Sequence, residues 1–283
     1  MAHTCTASLT CIVHIVGLVV LIRVKTPNAN QKVIIINLAF TEMLFCLNRV
    51  INLAWKNIMG GRNVNRVKAI MTVRLFFFTA NKAVMLYLIL DRFLDIFLHL
   101  KYALYFTKKK IVVILAIAWT ICAIYSISLG VVDSLLYPLN YPKLHRKFNI
   151  PVSLVLDGLI VVSATITYLY FYFKVKAIHK TERGSSENQG QASSFKFKIP
   201  FLLVTTYIMF NVVGTIVVLA GDKGRNIYLL RLSGWNLIVL GYLSDGLLYV
   251  FMQKDVRKLL YEKLCKRALR RKITSSSTDT SQN

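Results

Sequence analysis

The sequence predicts an all-α membrane protein, a bundle of seven transmembrane helices with its N-terminus outside and a short amphipathic surface helix after the seventh span. Three observations predict it. The 283 residues are 55% hydrophobic, and the apolar ones are gathered into blocks long enough to cross a hydrocarbon core, which takes about 20 residues. Seven such blocks lie near residues 6–22, 33–55, 69–98, 111–132, 150–173, 199–220 and 227–252. The 36 Lys and Arg, set against 12 Asp and Glu, are distributed unevenly over alternate connections. With the N-terminus outside, 23 of them fall in inner connections and tail and 10 in outer ones, which is the positive-inside bias. The location is therefore expected to be the plasma membrane, crossed several times. Charge beside a membrane also replaces the nucleic-acid reading of so basic a chain.

The first block is interrupted by His14. A short inner turn with Pro27 leads to the second, where Glu42 lies deep in an apolar helix and Arg49 nearer its outer end. The stretch 55–68 is polar, basic and glycine-containing, and reads as an outer connection. The third block, the longest, carries Arg74, Asn81 and Lys82 and ends in Asp91 and Arg92, with Asp95 one turn on. Lys108, Lys109 and Lys110 open the fourth block, which contains Trp119. Residues 133–149, with two prolines and a basic cluster, read as a second outer connection. Asp157 lies inside the fifth block and Tyr168 near its inner end. The Ser-, Gly- and Glu-containing stretch 181–194 reads as a flexible inner loop. Tyr207, Asn211 and Gly214 lie in the sixth block, and Arg231, Trp235, Asp245 and Tyr249 in the seventh.

The domain reading is a transmembrane unit over 1–253, an amphipathic helix over 254–269 and a Ser/Thr-rich cytoplasmic tail over 270–283. In the helix Val256, Leu259, Leu260 and Leu264 recur at helical spacing opposite Lys and Arg. Cys265 stands where a lipid anchor would fix it, or is a plain thiol. No cysteine lies in an outer connection, so no disulfide staples one.

These motifs, in this order, resemble those of the rhodopsin-like (class A) G-protein-coupled receptors, and the chain looks like a divergent, orphan member. Asn37, Leu38, Ala39 and Glu42 are similar to the family's Asn-Leu-Ala-x-x-Asp. Asp91, Arg92 and Phe93 resemble its Asp-Arg-Tyr, with Tyr102 downstream. Trp119 matches the fourth-span tryptophan and Tyr168 the fifth-span tyrosine. Asp245 and Tyr249 look like the ends of Asn/Asp-Pro-x-x-Tyr. The departures are His14 for the first-span Asn, Glu42 for Asp, no cysteine near Val67, Ile160 for the fifth-span proline, Tyr207 and Asn211 for the sixth-span Phe and Trp, and Val213 and Gly246 for the prolines of the last two spans.

The resemblance implies a receptor that opens its inner helix bundle to a heterotrimeric G protein, with arrestin and receptor kinases reading the tail. Asp91, Arg92, Tyr168 and Tyr249 would form the switch, Arg92 leaving Asp91 to turn toward the two tyrosines. By residue type alone the better reading is that Arg92 snorkels to the headgroups. Glu42, Asn81 and Asp245 would converge on a site that takes a bound sodium ion, with a protonated Glu42 the alternative. No other cofactor is expected. Lys82 near mid-span must be paired or neutral; Asp157 is its expected partner in a buried ion pair, hydroxyls the alternative. Arg74, Arg49 and Arg231 make the outer mouth cationic and favour a small anionic ligand or acidic peptide, although Arg49 and Arg231 also suit headgroup contact. Competing readings are a receptor-like protein that no longer signals and an ion-coupled transporter. An opsin would need a lysine in 232–253, and none is there. No nucleophile constellation or metal cluster points to an enzyme.

Overall fold

The structure, a computed structural model, describes residues 2–23, 29–59, 64–98, 101–136, 143–181, 201–221 and 227–251. The expected surface helix, Cys265 and the tail lie outside the described residues. The described chain is α1 (Ala2–Arg23), α2 (Ala29–Met59), α3 (Val64–Leu98), α4 (Tyr102–Tyr105), α5 (Lys108–Leu136), α6 (Lys143–Thr181), α7 (201–206), a π-helical turn (Tyr207–Val212), α8 (Val213–Gly221) and α9 (Ile227–Phe251). The described residues contain no strand.

Among the described residues, six helical segments are long and apolar enough to cross a membrane: Cys5–Arg23, Asn30–Asn52, Asn65–Leu98, Lys108–Leu136, Pro151–Lys174 and Phe201–Ala220. They coincide with the first six predicted blocks. The seventh block is helical too, as α9, but Asn236, Ser244 and Asp245 dilute its apolar run. The helices run past the apolar blocks in two places. The stretch expected as a connection over 55–68 is mostly helix, because α2 continues to Met59 and α3 starts at Val64. The stretch 133–149 likewise divides between the end of α5 and the start of α6. An apolar block marks what lies in lipid, and a helix needs no lipid to continue.

α1, α2, α3, α6, the α7–α8 unit and α9 form a closed ring, with α5 packed outside it against α2, α3 and α6. α5 shows why the order holds. Its buried residues are Ile111, Leu115, Cys122, Ser126, Gly130 and Asp133, a single stripe at helical period. Its other faces, with Val113, Ile117, Ile121, Ile124 and Ile127, are exposed and equally apolar. A helix apolar all round is suited to lipid on the faces that protein leaves open. α8 and α9 pack backbone to backbone at Gly214 and Gly234: a Cβ on Gly234 would stand 2.7 Å from the Gly214 carbonyl oxygen.

The core has two apolar layers. One holds Leu21, Ile34, Leu38, Val84, Met85, Leu88, Ile160, Leu203 and Tyr249. The other holds Ala7, Cys11, Phe45, Cys46, Phe78, Ile238, Val239 and Tyr242. On α1, α2, α3 and α9 the residues that fall between the layers are polar: His14, Glu42, Asn81 with Lys82, and Asp245. Asp157, Thr206 and Asn211 extend the set to α6 and the sixth span.

Candidate functional site

This polar belt is held by bonds between helices. Asn81 Nδ2 donates to Glu42 Oε1 at 3.2 Å and to Thr41 Oγ1 at 3.4 Å. The Tyr249 hydroxyl donates to Glu42 Oε2 at 3.4 Å. His14 Nε2 lies 3.5 Å from Glu42 Oε2 and 3.0 Å from the Tyr242 carbonyl oxygen. The Thr206 hydroxyl donates to Asp245 Oδ1 at 2.5 Å, and Asp245 is close enough to Glu42 for their charges to repel. Gly246 makes room for His14, since a Cβ there would come within 3.2 Å of its ring. The histidine of α1 and the glycine of α9 thus fit as a pair. Two acidic groups so close need a proton or a cation between them.

Lys82 forms a second node. Its Nζ lies 2.5 Å from Asp157 Oδ1, and the Tyr207 hydroxyl donates to the same oxygen at 2.8 Å. The Ser153 carbonyl accepts from Nζ at 3.5 Å, and the ammonium sits 4.6 Å from the centre of the Phe78 ring. All three charged or phenolic groups are buried. α3, α6 and the π-turn are therefore joined at one carboxylate. Several belt atoms have no hydrogen-bond partner in the protein: His14 Nδ1, Asn81 Oδ1, Asp157 Oδ2, Asp245 Oδ2, the Tyr242 hydroxyl and both side-chain atoms of Asn211. Buried polar atoms are rarely left so without a water, an ion or a moving part.

At the C-terminal end of α3, Arg92 is buried and fixed. Its Nε donates to Asp91 Oδ2 at 3.0 Å, Nη2 donates to the same oxygen, and Nη1 donates to Asp95 Oδ2 at 3.3 Å. The Tyr102 hydroxyl donates to Asp91 Oδ1. Burial, then the bond to Asp91, pushes that phenol well above its usual range. Asn30 Nδ2 in turn holds the Phe106 carbonyl at 2.7 Å, so α4 is anchored to the start of α2. Tyr102 completes the Asp91–Arg92 cluster, and its signal in the sequence is a tyrosine eleven residues on with no helical phase to link it. Tyr168 packs edge-on against Phe201, ring centres 4.7 Å apart. Tyr249 is in the belt. The structure thus brings Asp91 and Arg92 together and places the two tyrosines elsewhere, each in a separate contact.

About 27 Å along α3 from Arg92, at 1.5 Å per residue, lies Arg74. It is 8% exposed, and its Nε and Nη2 have no hydrogen-bond partner. Arg49 stacks over Trp235 at 5.1 Å and is near enough to Arg74 for their charges to repel. Arg231 is half-buried one turn before Trp235. Beside Trp235 a cavity of about 40 Å³ is lined by Phe78, Ser153, Thr215, Val218, Leu219 and Ile238. Nearer the start of α3, Lys68 joins it to α5, its Nζ 3.2 Å from the Asp133 carbonyl and 3.8 Å from Asp133 Oδ2.

No known family model matches this chain. A search of curated proteins likewise finds none similar to it. Fold and transmembrane helical character therefore rest on the helices themselves, and function on the chemistry of the belt and of the two ends of α3.

Proposed function

We propose that the chain is a rhodopsin-like receptor with seven spans, α9 being the seventh, oriented with its N-terminus outside the plasma membrane. An anionic ligand at the Arg49, Arg74 and Arg231 end would be transmitted through the belt to Arg92, where a heterotrimeric G protein docks, followed by arrestin and receptor kinases. The observation that carries this reading is the buried Arg92, clamped by Asp91 and Asp95 on α3 while Tyr102 holds Asp91 from α4. A buried arginine whose partners among the described residues are on its own helix is free to change them without unpacking the ring. In the proposed mechanism the ligand acts through its differential affinity for two arrangements. In one, Arg92 is clamped. In the other it leaves Asp91 and reaches toward the Tyr168 side of the bundle.

Glu42, Asn81 and Asp245 would hold a sodium ion if one binds. The unpartnered Asn81 Oδ1 and Asp245 Oδ2 are hard oxygens of the kind alkali cations take. Bound there, the ion would supply the positive charge that two facing carboxylates need. No cluster of three His, Cys, Asp or Glu among the described residues is built for a tighter metal.

The test is G-protein activation in cells expressing wild type or Arg92→Ala at matched surface levels, with a panel of anionic metabolites and peptides. Wild type should signal to at least one, and Arg92→Ala should not. Equal signals from both would overturn the receptor reading, and no signal from wild type to any of the panel would select a receptor-like protein that does not signal. The belt favours one second reading, an ion-coupled transporter, since three carboxyl groups and one lysine are buried there. Ligand-dependent current without G-protein activation would select it.

A further inference from the structure

We propose that the Arg49–Arg74 end of the bundle binds an amphiphilic anion, a single carboxylate head carried on an apolar tail. This deepens the anionic-ligand reading above and rests on it for the site's place, though not on G-protein coupling.

Among the described residues, Asp91 and Asp95 hold Arg92, Asp133 holds Lys68, Asp157 holds Lys82, and Glu42 and Asp245 face each other. No described carboxylate is left for Arg74. Yet Arg74 is 8% exposed with two N–H-bearing atoms unpartnered, and it sits within reach of a second guanidinium. Burying one arginine without hydrogen bonds is costly, and burying two together is more so. The groups that relieve both are oxygens of an anion, which accept from a guanidinium in the fork geometry it presents.

The tail is set by the surface on which the head would rest. Arg49 lies over Trp235, and Trp235 is a wall of the cavity. The other walls are Phe78, Val218, Leu219 and Ile238, with Thr215 and Ser153 the polar exceptions. Ser153 Oγ has no partner, so the lining offers one free hydroxyl and is otherwise mostly apolar. A compact inorganic anion or an acidic peptide would leave that lining unused and bring further polar groups to it. The end of an alkyl chain fits its volume of about 40 Å³. The same site also has a route inward, because Phe78 is the ring against which the Lys82 ammonium sits. A tail that moves Phe78 moves the cation of the Lys82–Asp157 pair.

The experiment uses the full chain, purified into nanodiscs of zwitterionic phosphatidylcholine, with Trp55→Phe and Trp119→Phe so that Trp235 is the remaining fluorophore. The probes are 11-bromoundecanoate and its alcohol, since bromine quenches a tryptophan it touches. The acid should quench saturably and the alcohol only in proportion to its partitioning. Arg74→Gln should weaken acid binding by about ten- to a hundredfold, the loss expected for a charged hydrogen bond, while Arg74→Lys keeps much of it and shows that the fold is intact. Acetate should not compete at equal concentration. Equal quenching by acid and alcohol, or an unchanged response in Arg74→Gln, overturns the site. Acetate competing as well as the acid overturns the tail and leaves the anionic ligand standing. Saturable binding with no G-protein activation sinks the receptor reading and leaves the site.

Discussion

Lys82 and Asp157 show what a single buried charge imposes on a bundle. An ammonium at mid-helix is tolerated in the membrane only with a partner, and Asp157 supplies it at 2.5 Å while Tyr207 shares the oxygen. Removing one member strands the other, at a cost of about 3–5 kcal/mol. Lys82→Ala and Asp157→Ala should each lose most surface expression, and Lys82→Asp combined with Asp157→Lys should recover part of it. Failure of the combined variant to rise above either single one would show that the two do not act as a pair. The partner is legible in the sequence because few acids lie inside spans. Tyr207 is not, since a tyrosine in an apolar block reads as packing. The bonds of Tyr102 and Thr206 escape the sequence for the same reason: hydroxyls carry no mark of which carboxylate they will meet. Asp91 and Arg92, adjacent in the chain, are the easiest to read. The tyrosines expected beside them are the hardest, because their place depends on how helices are rotated.

At the scale of elements, the sixth span is the unusual one. Its helix changes from α to π over Tyr207–Val212, a geometry that occurs mostly as single turns at functional positions. Thr206 and Tyr207, at its start, bind carboxylates on two different helices, Asp245 of α9 and Asp157 of α6. Asn211, within it, is buried with neither amide atom bonded. The turn therefore has bonded and unbonded polar groups a few residues apart, as a hinge requires. Met209 is 63% exposed, so deleting it should close the turn into α-helix and leave surface expression near wild type. Deleting Ile216, in the regular α8, should rotate the remainder of that helix by about 100° and abolish expression. Equal loss from both deletions would rule out a turn with one residue to spare. The α8–α9 contact gives a second check. Gly234→Ala drives a methyl into the Gly214 carbonyl and should lower thermal stability clearly. Gly158→Ala, with nothing within 4 Å of the new methyl, should be neutral or raise it by up to about 1 kcal/mol, the difference in helix propensity. Detergent-phase melting curves compare the two.

For the molecule as a whole, the apolar blocks carry most of the architecture. Six of them coincide with helices of membrane-crossing character, because in lipid the backbone must satisfy its own hydrogen bonds and length plus apolarity nearly define a span. What the blocks do not carry is where helices end. Their ends lie in water, where hydropathy has nothing to say and α2, α3, α5 and α6 simply run on. Nor do the blocks show that His14, Glu42, Asn81 and Asp245 share one level, although each stands out alone. Orientation is open to direct measurement. Since the sequence lacks glycosylation acceptors, an Asn-x-Ser engineered within 137–142 should be glycosylated and one within 182–194 should not. The reverse pattern would invert the proposed topology and place the arginine mouth inside the cell.

The π-turn also bears on how this chain is to be aligned with anything else. A π-turn spends one more residue than an α-turn to cover the same advance. Numbering carried along the sixth span from Phe201 therefore slips by one beyond Val212. The place reckoned for Val213 is filled in space by Gly214, the residue whose carbonyl lies against Gly234 of α9. A comparison by residue count finds valine where the resemblance expects a helix-kinking proline; a comparison by position finds glycine, which also permits a bend.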